Sequence, residues 1–294
     1  MPSLAKPVGA GQQVPAGQPC DSPADKTPNK TASVRRAYIW PLPLTPKTYM
    51  SKLLKPAAPD PKQIQILAAL PKAEYERLLP DLELVAMPLG WTMSESGDHV
   101  KYLHFPVSGI VSLIYALEDG SSSEIALVGS EGLVGISIYM GGESLPSSTE
   151  VQSAGQAYRL SRRVMKHEFE QGGQLQHLAL LYTQALICQT SQTAVCNQHH
   201  SVEQQFSRWL LMSFDRLHSD KMTITQEQIS HLLGVRRESV TQTAGKLQKD
   251  GSITKARGSI TVVDRAKLEA QACECYAAVK EECERLLPPP KVAH

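Results

Sequence analysis

Residues Thr223–Val263, TITQEQISHLLGVRRESVTQTAGKLQKDGSITKARGSITVV, carry the densest signal in the chain. Ile229, Leu232 and Leu233 recur at i, i+3 and i+4, which predicts a helix over Gln226–Leu233 with one apolar face. Thr225 followed three residues later by Gln228 is a capping box that starts such a helix. Gly234 ends it, because glycine readily takes the left-handed conformation that redirects a chain. A second helix from about Arg237 turns Val240, Ala244 and Leu247 inward. Arg236, Arg237, Glu238, Ser239, Gln242, Thr243 and Lys246 lie between those apolar positions. Asp250-Gly251 supplies a turn, and Ser252–Ala256 and Ser259–Val263 form a hairpin about Arg257-Gly258. Two short helices and a basic hairpin make a winged helix-turn-helix, whose second helix enters a DNA major groove.

The alternative is an ordinary helix pair in an all-α domain, and local charge argues against it. Between Lys221 and Lys267 nine Lys/Arg face four Asp/Glu, a net +5. Between Lys62 and Glu170 eight Lys/Arg face fourteen Asp/Glu, a net −6. The overall charge of +1 therefore hides a basic module beside an acidic one, and phosphate contact needs the positive field only locally.

Twelve of the twenty prolines lie in residues 1–61, which have few periodic apolar positions and a net charge of +5. Such a segment buries too little surface to offset its ordering entropy and is expected to be disordered. Met50 directly follows its Pro-rich part, so residues 1–49 are expected to be dispensable. No apolar run reaches the ~18 residues of a membrane span, and no signal-peptide core is present. Six cysteines without regular spacing suit a reducing cytoplasm.

Residues 82–165 read as β, with short runs at Leu82–Leu89, Tyr102–Phe105, Ile110–Ala116, Ser123–Val128, Thr149–Gln152 and Gln156–Leu160. Turn pairs fall between them, Ser108-Gly109 among others, and Asp119-Gly120 is the strongest hairpin signal. That spacing implies a barrel or sandwich. Helical segments at Lys62–Leu79 and Ser161–Glu170 bracket it, and a long helix over about Glu170–Gln198 follows. Leu175, Leu178, Tyr182, Ala185 and Val195 mark an approximate stripe on that helix. Long helices between domains usually pair, so these five residues are the expected dimer seam. Ser201 starts the next helix, whose Val202, Phe206, Trp209 and Leu210 pack towards the DNA reader. The expected organisation is a tail over 1–61, a barrel over 62–169, a dimerisation helix over 170–200, and a DNA-binding domain with a C-terminal helix over 201–294.

This combination resembles the Crp/Fnr family of bacterial transcription regulators over about residues 62–265. The resemblance implies an α+β fold: a cyclic-nucleotide-binding-like jelly roll, a long dimer helix and a winged helix that reads a palindromic promoter site. It also implies RNA polymerase as a partner and a cytoplasmic location. Arg237-Glu238 match the family's Arg-Glu pair at the start of the recognition helix. The family's Arg four residues after the Glu is Gln242 here. Arg can bond O6 and N7 of guanine, Glu can accept from the cytosine amino group, and Gln suits adenine. Ser239 and Thr243 could reach phosphate or a thymine methyl. Arg236, Lys255 and Arg257 are expected on the phosphate backbone, where they position without specifying.

Cyclic-AMP-binding members carry Gly-Glu and, about ten residues later, Arg-Ser. Here Ile136 takes the Glu position and Ser147-Ser148 stand for Arg-Ser, while residues 129–156 hold no Arg or Lys. Burying a phosphate charge without a cation is costly, so cyclic AMP is not expected to bind in that manner, and the effector is unknown. Only Cys20 precedes the barrel, which excludes an N-terminal four-thiolate iron–sulfur cluster. His99, His104 and His167 are isolated and give no haem signal. Cys273, Cys275 and Cys283 fall on a C-terminal helix without a Cys-x2-Cys pair or a nearby His; ordinary helix packing is expected for them and for His199-His200, with no metal. The other function classes are a cupin-like barrel enzyme, which lacks paired metal-binding histidines, and a cyclic-nucleotide-regulated scaffold, which would not need Arg237-Glu238.

Overall fold

A computed structural model describes residues 58–217 and 219–289. Most of the expected disordered tail, with the Met50 start, lies outside the described residues. Its last residues belong to the folded body instead. Tyr158 donates its hydroxyl to the Pro59 carbonyl at 2.7 Å, and Asp60 caps a 3-10 turn at Pro61–Gln63.

The expected lead-in helix is two short ones, α1 (Gln65–Ala68) and α2 (Lys72–Leu78), parted by Pro71. Strands β1 (Glu83–Met87), β2 (Thr92–Ser94), β3 (Tyr102–Ala116) and β4 (Ser122–Val128) follow, then α3 (Ser137–Met140), β5 (Ser148–Ser161) and α4 (Arg162–Glu170). The strands form one antiparallel sheet in the order β1-β5-β3-β4, with β2 also on β5. Asp119-Gly120 does close the β3–β4 hairpin, with Gly120 at φ 86.

Ser108-Gly109 is not a turn. The two runs on either side of it are one strand, β3, and the last two runs are likewise one strand, β5. Gly109 (φ 81) sits where the β3–β5 register shifts, and a Cβ on the facing Gly155 would stand 2.0 Å from the Ser108 carbonyl. The glycines permit a bulge that bends both strands while keeping them paired.

The long helix α5 spans Gln174–His199. Its first N–H groups have no helical partner, and Glu74 of α2 supplies one, accepting from Gln174 and Leu175 at 3.0 Å each. Then come α6 (Val202–Arg216), β6 (Lys221–Thr223), α7 (Gln226–Leu233), α8 (Arg237–Lys249), β7 (Ile253–Ala256), β8 (Ser259–Val262), α9 (Arg265–Gln271) and α10 (Cys275–Leu286). The expected hairpin is part of a three-stranded sheet, β6-β8-β7.

Two apolar cores result. The first joins the sheet (Phe105, Val128, Leu160) to α1 and to Leu175, Leu178, Tyr182 and Ala185 of α5. The second joins Phe206, Trp209 and Leu210 to Ile229, Val240, Leu247 and Leu268, and also takes in Ile110 and Leu127 of β3 and β4. Thus α6 seats the DNA reader on the sheet. Beyond α9 the chain turns back, and α10 packs along α5, with Leu286 in the first core.

Candidate nucleic-acid interface and sensor cavity

Helix α7 starts with the full capping box: Thr225 Oγ1 accepts from Gln228 N at 3.2 Å, and Gln228 Oε1 accepts from Thr225 N at 2.8 Å. Gly234 takes φ 66 and ends it. Val240, Ala244 and Leu247 hold α8 against the core. Arg236, Arg237, Glu238 and Gln242 are exposed on its other side. The hairpin turn is Arg257-Gly258, with Ala256 paired to Ser259 and Gly258 at φ 72. Arg257 is exposed at the tip. Lys255 leans over α8, its Nζ 3.9 Å from where a Gly245 Cβ would lie.

One expected contact changes. Thr243 is buried, because it falls on the Val240–Leu247 side of the helix, and it leaves the DNA-facing set. Ser239, Gln242 and Lys246 all border a cleft shared with the start of α6, where Lys246 donates to Glu203 at 2.8 Å, and none of the three is buried. One exposed residue was missed. Thr241 lies one turn after Arg237, bonded to Gln226 at 2.8 Å, a position the Val240–Leu247 periodicity could have revealed.

The dimer stripe also moves. Leu175, Leu178, Tyr182 and Ala185 are buried against the protein's own sheet and cannot form a seam; of the five expected residues only Val195 is exposed. The uncovered face carries Leu180, Ile187, Ser191, Ala194, Val195 and Gln198. A third face, with Cys188 and Gln192, looks to α10. Apolar residues lie all round α5, so no single stripe marks the partner side.

Between the sheet and the segment leading into α3 is a cavity of about 250 Å³ lined by Trp91, Leu113, Leu133, Ile136, Ser147 and Arg159 among others. Ile136 and Ser147 both face it, as the motif alignment requires. Burial, with Arg159 nearby, lowers His104 to about 4, so it is neutral; it packs edge-on to Trp91. Arg159 lies three residues beyond the 129–156 stretch that holds no Arg or Lys. It is held by Glu83 through two hydrogen bonds (2.9 and 2.8 Å) and lies over the Tyr102 ring.

Among the described residues, two polar links join the sensor sheet and the loop after β4 to α6. Trp209 Nε1 donates to Glu124 Oε1 at 2.9 Å, and Arg216 Nε donates to Glu131 Oε1 at 2.7 Å. Glu124 is fully enclosed, and burial pushes its carboxyl up to about 7 despite the bonds from Ser112 and Trp209.

Cys273 and Cys275 meet Cys196 and His200 from the end of α5, so a histidine is near after all. Cys283 stands apart and packs against both cores.

A cyclic nucleotide-binding domain model matches residues 88–171, and a Crp-like helix-turn-helix model matches residues 204–271. Solved structures with the same fold include a transcriptional regulator assigned to the Crp/Fnr family from Eubacterium rectale (TM-score 0.58, 16% identity, covering 71% of this chain and 98% of that one). FixK2 from Bradyrhizobium japonicum gives 0.57 and 15%, covering 65% and 98%. A CRP-family regulator from Thermus thermophilus gives 0.53 and 21%, covering 65% and 96%. No curated protein matches the chain. Among the described residues no helix is long and apolar enough to cross a membrane.

Proposed function

We propose that this chain, which belongs to the Crp/Fnr family of transcriptional regulators by its paired cyclic nucleotide-binding and Crp-like helix-turn-helix domains, acts as a homodimeric, sequence-specific DNA-binding regulator and not as an enzyme. The observation that carries this reading is the exposed row Arg237, Glu238 and Gln242 on α8, flanked by Lys255 and Arg257 of the wing. Arg237 and Glu238 read base edges, Gln242 reads a neighbouring base, and Arg236, Lys255 and Arg257 hold phosphates. The dimer pairs through the uncovered face of α5, at Leu180, Ile187, Ala194 and Val195. Two readers then meet two half-sites of a palindrome, with RNA polymerase as the neighbouring partner in the cytoplasm.

The effector cavity takes something other than cyclic AMP. Ile136 and Ser147 offer neither a ribose acceptor nor a phosphate cation, Arg159 is already paired with Glu83, and Lys101, the other Lys/Arg on the lining, shares its exposed rim with Glu95 and Asp98. Neutral His104 and the Trp91 face suit a small, uncharged or weakly polar ligand. Selection of duplexes from a random-sequence pool tests the main reading. A two-fold symmetric consensus is expected, and a pool without enrichment would refute it.

A further inference from the structure

We propose that Cys196, His200, Cys273 and Cys275 form a site for one tetrahedrally coordinated zinc ion, which ties the end of α5 to the start of α10. The ligand atoms of these residues all lie within 4.8 Å of one another. Cys196 Sγ is 3.5 Å from Cys273 Sγ, and Cys275 Sγ is 3.4 Å from His200 Nδ1. Zinc–sulfur bonds of ~2.3 Å and zinc–nitrogen bonds of ~2.0 Å span ligand pairs at about these separations. A set this compact suits a single ion.

The sequence supplies the pieces locally. Cys196 lies on the last turn of α5, and His200, four residues on, caps that turn in an extended conformation at φ −106, ψ 153. Cys273 closes the α9–α10 connection and Cys275 opens α10. The three cysteines form a small buried cluster separate from both apolar cores. Soft thiolates with one imidazole favour zinc over calcium or magnesium, which prefer oxygen.

The surroundings fit a charged centre better than a packed one. His200 turns its other nitrogen, Nε2, to Glu274 Oε2 at 3.4 Å, the carboxylate–histidine arrangement that orients a metal-bound ring. Gln192 Nε2 donates to Cys275 Sγ at 3.1 Å. Arg208 is buried beside Cys196, donates from one terminal nitrogen to Thr193 Oγ1 at 3.2 Å, lies in the field of Glu124 without a direct ion pair among the described residues, and leaves its Nε without a partner. A buried guanidinium needs a counter-charge. Three thiolates around a dication carry a net −1, which adds to the field of the Glu124 carboxyl on that guanidinium. On loading, the three thiols each lose their proton to solvent, the imidazole binds neutral through Nδ1, and no electron moves.

The test is metal analysis of the full-length, reduced protein, produced without a polyhistidine tag and dialysed against zinc. About one zinc per chain is expected, and cobalt in its place should give the intense visible bands of a tetrahedral thiolate site. Cys273→Ser and Cys275→Ser should each lower bound metal at least tenfold at equal free zinc, whereas Cys188→Ser, outside the cluster, should keep it. Should the serine variants fail to fold, the cobalt spectrum of the wild type still counts the thiolates. Wild type without stoichiometric metal, a weak octahedral cobalt spectrum, undiminished loading of folded Cys273→Ser, or a Cys196–Cys273 disulfide persisting in reduced protein would each overturn the proposal.

Discussion

The indole N–H of Trp209 reaches from α6 into the sensor sheet and donates to the enclosed carboxyl of Glu124 at 2.9 Å. Ser112 Oγ holds the other oxygen at 2.5 Å. Reader and sensor thus share a titratable group whose carboxyl is pushed up to about 7 by burial. The folded protein keeps a proton there that the unfolded chain releases near its ordinary value of 4.5. Stability from this group is therefore full below about pH 4.5 and is lost as pH rises through about 7, by on the order of 3 kcal/mol. Glu124→Gln preserves an acceptor for Trp209 and should flatten the fall of Tm across that window. An unchanged slope in thermal unfolding curves would contradict this account.

Arg237→Ala and Glu238→Ala should abolish sequence discrimination, each weakening the specific duplex by ~1–3 kcal/mol and random DNA little. Lys255→Ala should weaken both alike and lower the salt-dependence slope by about one unit. Isotherms on the two duplexes at several salt concentrations separate the roles. Equal weakening of both by Arg237→Ala would mean that α8 does not present Arg237 to base edges.

Ile187→Glu, on the uncovered face of α5, should convert dimer to monomer in light scattering while leaving the circular dichroism of the fold intact. Leu178→Glu should do something different. Its side chain is buried against the sheet, so a buried charge there should unfold the sensor by several kcal/mol. A dimer unaffected by Ile187→Glu would move the seam elsewhere.

Millimolar cyclic AMP should leave both Tm and DNA affinity unchanged, since a ligand stabilises only what it binds. Heat released on titration at micromolar ligand would show that Arg159 gives up Glu83 and serves the phosphate after all.

The DNA reader was legible because its signals are short-range: Thr225, Gln228 and Gly234 fix α7 within ten residues, and they sit where the capping rules put them. Ser108-Gly109 misled because a bulge and a turn need the same residue types; only the facing Gly155 distinguishes them, and it lies 46 residues away in the chain. On α5 the apolar positions were seen, but which face meets the sheet depends on where α4 and the glycines at 172–173 aim the helix, a tertiary outcome. Thr243 was misplaced for a similar reason, since a threonine reads as polar even where it is buried. Cys196 and Cys273 are 77 residues apart, and only the return of α10 along α5 unites them.

That return has a mechanical consequence. The winged helix is attached to α5 at its entrance, through Ser201, and again at its exit, through α10. A module fastened at one end can swing through a wide cone, whereas one fastened at both can only twist about the line joining its anchorages. Held at both ends and seated on the sheet through α6 and α7, the reader has little slack in which a tilt of the sensor sheet could be lost.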